Sequence, residues 1–230
     1  MQISKGESNA LEILKTNNLE VFSIKDLKLL LSLKPTKVYN LIKSLKNKGF
    51  IEVIRKGLYC IRGTDEMIIA SRIVYPSYIS FLSALNYYEL TEQVSKKITL
   101  ATTKRKKHKD YAFATLSKDK FFGYTHIDKI IISEKEKALI DSLYLPRYAG
   151  GIKTIITCFT KKLNKKKLYE YAMRMKSKAV IRRLGYILDY LHIEFKFNLR
   201  KKIGKGYELL EPSKERKYKY DKKWMLDVNI

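Results

Sequence analysis

Apolar residues return every third or fourth position through the first part of the chain, which is the period of a helix with one buried face. Ala10, Leu11 and Leu14 mark such a face over residues 7–16, and Asn17-Asn18 closes it. Ser23 precedes a second run over 24–31, where its hydroxyl can accept a free N–H of the first turn and Asp26 makes that turn acidic. After Ser32-Leu33-Lys34 a third helix opens at Pro35, where the missing N–H does no harm, and runs to residue 48. Val38, Leu41, Ile42 and Leu45 stand at i, i+3, i+4 and i+7 and form its inner face. Thr36, Lys37, Tyr39, Asn40 and Lys43 are left outside, and Gly49 ends the helix. Residues 50–55 and 58–61 then read as strands around a tight Lys56-Gly57 turn, with Arg55 and Lys56 at the tip.

Helix, helix, helix, hairpin is the order of a winged helix-turn-helix, so residues 1–63 are expected to form a DNA-binding domain of that type. The outer residues of the third helix are the types that reach phosphates and base edges, and its N-terminal half would point to the major-groove floor. Asn40 and Lys43 suit base edges, Thr36, Lys37, Arg55 and Lys56 suit phosphates, and Tyr39 suits either. The hairpin tip suits the backbone or minor groove alongside, although such tips are often only solvated and such folds also serve as protein-interaction modules.

Beyond the polar joint Arg62-Gly63-Thr64, residues 64–230 are expected to form a second, mixed domain, and the whole chain to be α+β. Thr64 is expected to cap a helix through residue 74, and Pro76 to begin another over 77–89 with Ile79, Leu82, Ala84 and Leu85 inward. Tyr78, Tyr87 and Tyr88 read as packing residues with wet hydroxyls. Strands are expected over 97–102 and 111–115, joined through Lys104-Arg105-Lys106-Lys107-His108-Lys109, the densest positive spot in the chain. That loop either grips phosphates, through Lys104, Arg105, Lys106 and Lys107, or is a solvated hairpin tip. A buried strand follows at Ile130-Ile131-Ile132, and Ser133 with Glu136 reads as a capping box for a helix through residue 143, stopped by Pro146. Gly150-Gly151 makes a turn into helices over 152–162, 165–175 and 178–191, and extended pieces over 207–210 and 224–228 complete the chain.

The charge sharpens this picture. Lys plus Arg number 48 against 23 Asp plus Glu, a net +25, and nucleic acid is the obvious polyanion to screen such self-repulsion. A lysine-rich proteome could also produce the excess. No apolar run reaches the roughly 18 residues of a membrane span, and the start lacks a signal-peptide core, so a cytoplasmic location is expected. Cys60 and Cys158 read as reduced core residues.

Catalytic patterns are sparse. His108, His126 and His192 have no zinc-ligand spacing with the cysteines, and Gly150-Gly151 lacks the lysine of a phosphate-binding loop, so neither metal nor cofactor is expected. Glu215-Arg216-Lys217 with Asp110 or Asp119 is a weak nuclease pattern in a chain that is 31% charged. Asp141, and Asp189 beside Arg183, read as structural carboxylates paired with cations. A non-enzyme is expected.

Several motifs in order resemble the AbiEi family of transcriptional regulators, the antitoxins of type IV toxin-antitoxin systems of abortive infection. They are Lys56-Gly57-Leu58-Tyr59, Ile69-Ala70-Ser71, Tyr78-Ile79-Ser80-Phe81-Leu82-Ser83-Ala84-Leu85, Ser133-Glu134-Lys135-Glu136-Lys137-Ala138-Leu139-Ile140-Asp141, Gly150-Gly151, Arg183-Leu184-Gly185-Tyr186 and Trp224-Met225-Leu226-Asp227-Val228-Asn229. The resemblance implies a winged helix that binds repeats in the protein's own promoter and a C-terminal domain with antitoxin activity. It also implies a nucleotidyltransferase-type toxin as functional partner, opposed without a stable complex. Inverted repeats would suit a homodimer. The chain departs from the common pattern in its lysine-rich loop at 104–109 and its basic tail. Alternative readings are a solitary winged-helix regulator whose C-terminal domain senses a ligand or protein, and a DNA-processing nuclease.

Overall fold

The architecture comes from a computed structural model, which describes residues 2–159 and 163–230. The chain divides into one unit of Met1–Tyr75 with Asp128–Ile130, and another of Pro76–Ile127 with Ile131–Ile230.

In the first unit, Ser4 rather than a later residue starts α1 (Lys5–Thr16). Its hydroxyl accepts from the Glu7 N–H while the Glu7 carboxylate accepts from the Ser4 N–H, a reciprocal cap. The chain then forms β1 (Val21–Ser23), α2 (Ile24–Leu31), α3 (Pro35–Asn47), β2 (Ile51–Arg55), β3 (Leu58–Ile61) and α4 (Glu66–Ile73). Ser23 and Asp26 cap α2 in the same reciprocal way, and Pro35 opens α3 as its spacing predicts. The strand β1 carries too few residues to show a period, yet it pairs antiparallel with β3 and makes a three-stranded sheet in the order β1-β3-β2. Leu14, Phe22, Leu27, Val38, Ile42, Leu45 and Ile51 form the core between helices and sheet. Asp65, not Thr64, caps α4, whose Ile68 and Ile69 pack on Val21, Leu58 and Cys60. That packing groups α4 with the first unit, beyond the joint at residue 63.

The second unit begins with a correction. The stretch expected as one helix over 77–89 is the strand β4 (Ser77–Ile79) followed by α5 (Phe81–Tyr87), with Phe81 at φ 56° making the break between them. Next come β5 (Ile98–Thr102), β6 (Tyr111–Thr115), β7 (Tyr124–Ile127), β8 (Ile130–Ser133), α6 (Lys135–Tyr144), α7 (Ile152–Thr157), α8 (Lys165–Arg174), α9 (Lys178–Tyr190), β9 (Glu208–Leu209), β10 (Tyr220–Asp221) and β11 (Leu226–Asp227). The main sheet has the order β6-β5-β4-β8-β7, with β4 antiparallel to β5 and parallel to β8. β5 and β6 run parallel, which removes the hairpin-tip reading of residues 104–109: the basic loop is a crossover that carries the chain back to the start of β6. A small sheet in the order β10-β11-β9 gathers the C-terminal pieces.

Ser133 is also corrected. It ends β8 with a buried hydroxyl that has no hydrogen-bond partner among the described residues, and Glu134 stands at the start of α6 with no side-chain cap. Glu136 instead accepts from the Asn164 N–H at the start of α8. The expected helix over 152–162 stops at Thr157, and its end at residues 160–162 lies outside the described residues. Residues 136–143 of α6 are all buried, as for a helix covered on every side. Among the described residues no helix is long and apolar enough to cross a membrane.

Candidate nucleic-acid interface

α3 splits cleanly by burial. Val38, Ile42 and Leu45 are buried and Leu41 packs partly against the same core. Thr36, Lys37, Tyr39, Asn40 and Lys43 are exposed, Tyr39 by 56%. Among the described residues none of these five side chains has a hydrogen bond or ion pair. Their donors and acceptors are therefore open to an external ligand, and their helix is held from its far end. Glu7 of α1 accepts from Ser44 Oγ at 2.5 Å and from Lys48 Nζ at 2.7 Å. Lys48, then Ser44 and the Ser4 backbone, lower the Glu7 pKa from 4.5 to about 2. Lys48 is thus a structural cation, while Lys43 and Lys37, about one and a half and three turns earlier, have no such partner among the described residues.

Arg55 and Lys56 are exposed at the β2–β3 tip. Gly57 completes the turn at φ 78°, a left-handed conformation that suits glycine, and the pairing register slips between Val53 and Arg55. These seven sequence-picked residues share one unit, five on one helix and two on one hairpin. Lys104, Arg105, Lys106 and Lys107 are exposed in the second unit, on the crossover after β5. Beside them His108 packs on the Tyr111 ring at 5.1 Å and accepts from the Asp110 N–H at Nδ1.

The charge is distributed unevenly. The first unit holds 14 Lys and Arg against 8 Asp and Glu, a net +6, and the second holds 34 against 15, a net +19. Some of the second unit's cations are internal. Lys137 is fully enclosed, ion-paired with Asp141, and donates to the Tyr78 hydroxyl at 3.1 Å. Tyr78 and Ser80 in turn donate to Asp141 at 3.0 and 2.9 Å. Burial pushes the Asp141 carboxyl up and the Lys137 amine down, and each partly restores the other. Tyr78 therefore has no wet hydroxyl: its ring is buried between Phe121 and Tyr124 and its oxygen serves this cluster. Tyr88 likewise donates to the Ser133 carbonyl at 2.8 Å, and Tyr87 is 38% exposed.

Arg182 and Arg183 are buried too, and they donate to backbone carbonyls. Arg182 reaches Ile203 and Lys205 at 2.8 and 3.0 Å, and Arg183 reaches Leu143, Leu210 and Leu209 at 2.8, 3.0 and 3.1 Å. The expected Asp189–Arg183 pairing is replaced by Lys223 and the Trp224 indole N–H on Asp189, at 2.6 and 2.5 Å. No family model matches the chain, and no curated protein matches it.

Most of the ordered motifs in the second unit turn out to be internal fasteners. Gly185 lies under Trp224 so closely that a Cβ there would stand 2.2 Å from the ring, and Asn229 bonds both the N–H and carbonyl of Glu211. Glu211 accepts from the Ile152 N–H at the start of α7. Asp141 is the structural carboxylate paired with a cation that the sequence led us to expect, but sequence reasoning missed that Lys137 is that cation and that the Tyr78 and Ser80 hydroxyls complete a buried cluster. The i,i+4 spacing of Lys137 and Asp141 was its one visible signal, and such spacing is common on exposed helices. Among the described residues no group of three His, Cys, Asp or Glu is placed to hold a metal. Cys60 and Cys158 are free and buried, and burial pushes the Cys158 thiol up to about 11.

Proposed function

We propose that this chain is a DNA-binding repressor whose first unit is a winged helix-turn-helix, with α3 as recognition helix and the β2–β3 hairpin as wing. The observation that carries the reading is the outer face of α3: Thr36, Lys37, Tyr39, Asn40 and Lys43 are exposed and unpaired on a helix whose other face is locked into the core. Asn40 and Lys43 read base edges, while Thr36, Lys37, Arg55 and Lys56 hold phosphates and set the register. On the resemblance to the AbiEi antitoxins, the target is the protein's own promoter, bound as a homodimer on inverted repeats. On the same resemblance the second unit opposes a nucleotidyltransferase-type toxin without a stable complex.

Footprinting of the upstream region followed by gel-shift titration tests this. Asn40→Ala is expected to cost about 1–3 kcal/mol on the cognate site and little on a scrambled duplex. Lys37→Ala is expected to weaken both duplexes and to lower the salt slope by about one. Equal losses on both duplexes from Asn40→Ala would remove its role as a base reader, and absence of any protected site would remove the repressor reading.

A further inference from the structure

Between the C-terminal end of α9 and the tail, the second unit has a cleft of about 320 Å³, within the roughly 300–1,000 Å³ range of small-ligand sites. Phe195, Phe197 and Trp224 supply rings to its lining, and Arg200 and Lys223 supply cations. Phe197 stacks on Tyr169 at 4.8 Å and 15° and meets Phe195 edge-on at 5.3 Å, so the aromatic wall is braced from behind. Trp224 is seated on Gly185, where no side chain intervenes. The single carboxylate in the lining, Asp189, is already neutralised by Lys223 and the Trp224 N–H. Residues 195–207 hold five cations, Lys196, Arg200, Lys201, Lys202 and Lys205, and no carboxylate. All five are exposed, and the unit as a whole has a net +19.

Aromatic rings in the wall of a cleft, beside a cationic track for a backbone, are the two parts of a site for unpaired nucleic acid. We propose that this cleft binds a single-stranded nucleic-acid segment, taking one base against its aromatic wall and the adjoining phosphates on Arg200 and the neighbouring lysines. The site is separate from α3 and goes beyond the repressor reading, which concerns duplex DNA. Ring and phosphate contacts are common to both sugars, so DNA and RNA strands are both ligands.

Trp224 is the only tryptophan in the chain, so its emission reports this cleft alone. The full chain is titrated with 12-mers of deoxythymidine, of uridine and of an abasic backbone, following anisotropy and tryptophan emission. The base-bearing strands are expected to shift the emission and to bind at least tenfold more tightly than the abasic strand. Phe197→Ala is expected to lose about tenfold, the scale of one stacked base. Arg200→Gln, at an exposed position, is expected to lower the salt slope by about 0.7. Lys37→Ala/Lys43→Ala is expected to leave strand binding unchanged, which keeps this result independent of duplex recognition. Response to one sugar alone, with the same losses in the variants, supports the site and assigns the sugar. Equal binding of the abasic strand, wild-type binding and slope in Arg200→Gln, or loss of strand binding in Lys37→Ala/Lys43→Ala overturns it. Should Phe197→Ala fail to fold, the abasic comparison and Arg200→Gln decide.

Discussion

In the first unit Lys37, Lys43, Arg55 and Lys56 stand in solvent without partners among the described residues, on elements fastened from the opposite side. In the second, Lys137, Arg182 and Arg183 are enclosed, and each is satisfied by a carboxylate, a hydroxyl or backbone carbonyls. The same two residue types therefore perform opposite tasks, and net charge by itself does not separate them. The unit with the smaller excess, +6, presents a helix face of exposed polar and cationic side chains, whereas part of the +19 in the other holds the fold together. A cation in contact with protein carbonyls has little left to offer a phosphate.

The contrast breaks most sharply at Asp141. Asp141→Ala leaves Lys137 enclosed without its counter-charge and is expected to cost about 3–5 kcal/mol in denaturant unfolding, whereas Lys137→Met/Asp141→Leu recovers most of the loss. A cost under about 1 kcal/mol would mean that the pair is not structural. Gly185→Ala drives a methyl into the Trp224 ring and is expected to cost about 1–3 kcal/mol, with a change in tryptophan emission.

Acid sharpens the comparison within the first unit. Because the Glu7 pKa is lowered in the fold, its contribution is fully present above pH 4.5 and is lost as pH falls toward 2. Unfolding midpoints of the native chain should therefore drop across that window, and Glu7→Gln should show a smaller drop from a lower starting stability. At the small end, Lys37→Ala/Lys43→Ala is expected to change stability by no more than about 0.5 kcal/mol, while the salt slope of duplex binding falls by about one through Lys37 and preference for the cognate site falls through Lys43. A large stability loss there would show these lysines to be fold elements like Lys137.

Legibility followed element length. The three N-terminal helices, the β2–β3 hairpin, α8 and α9 were readable because their apolar period or their caps lie within a few residues of one another. The strand β1 escaped because three residues show no period, and β4 escaped because Tyr78, Ile79, Phe81 and Leu82 fit a helix as well as a strand-to-helix break. Ser133 and Glu136 have the spacing of a capping box, but the sheet claimed Ser133 and the start of α8 claimed Glu136. In the candidate interface, the sequence marked the outer residues of α3 through the inner ones, since a helix that buries Val38, Ile42 and Leu45 must turn Lys37, Asn40 and Lys43 outward. It did not mark Lys48 as internal, because its partner Glu7 lies 41 residues away.

What the sequence determined unaided is thus the local part: that helices form in these stretches, which face of α1, α2 and α3 is buried, and that cations outnumber carboxylates 48 to 23. Tertiary structure alone decided which cations are free, that β5 and β6 run parallel around the basic loop, and that Phe195, Phe197, Arg200 and Trp224 line one cleft. The physical reason is range. Caps and periodicity act between neighbours in the chain, but the desolvation and pairing of a charge depend on whatever the fold brings against it from far away in sequence.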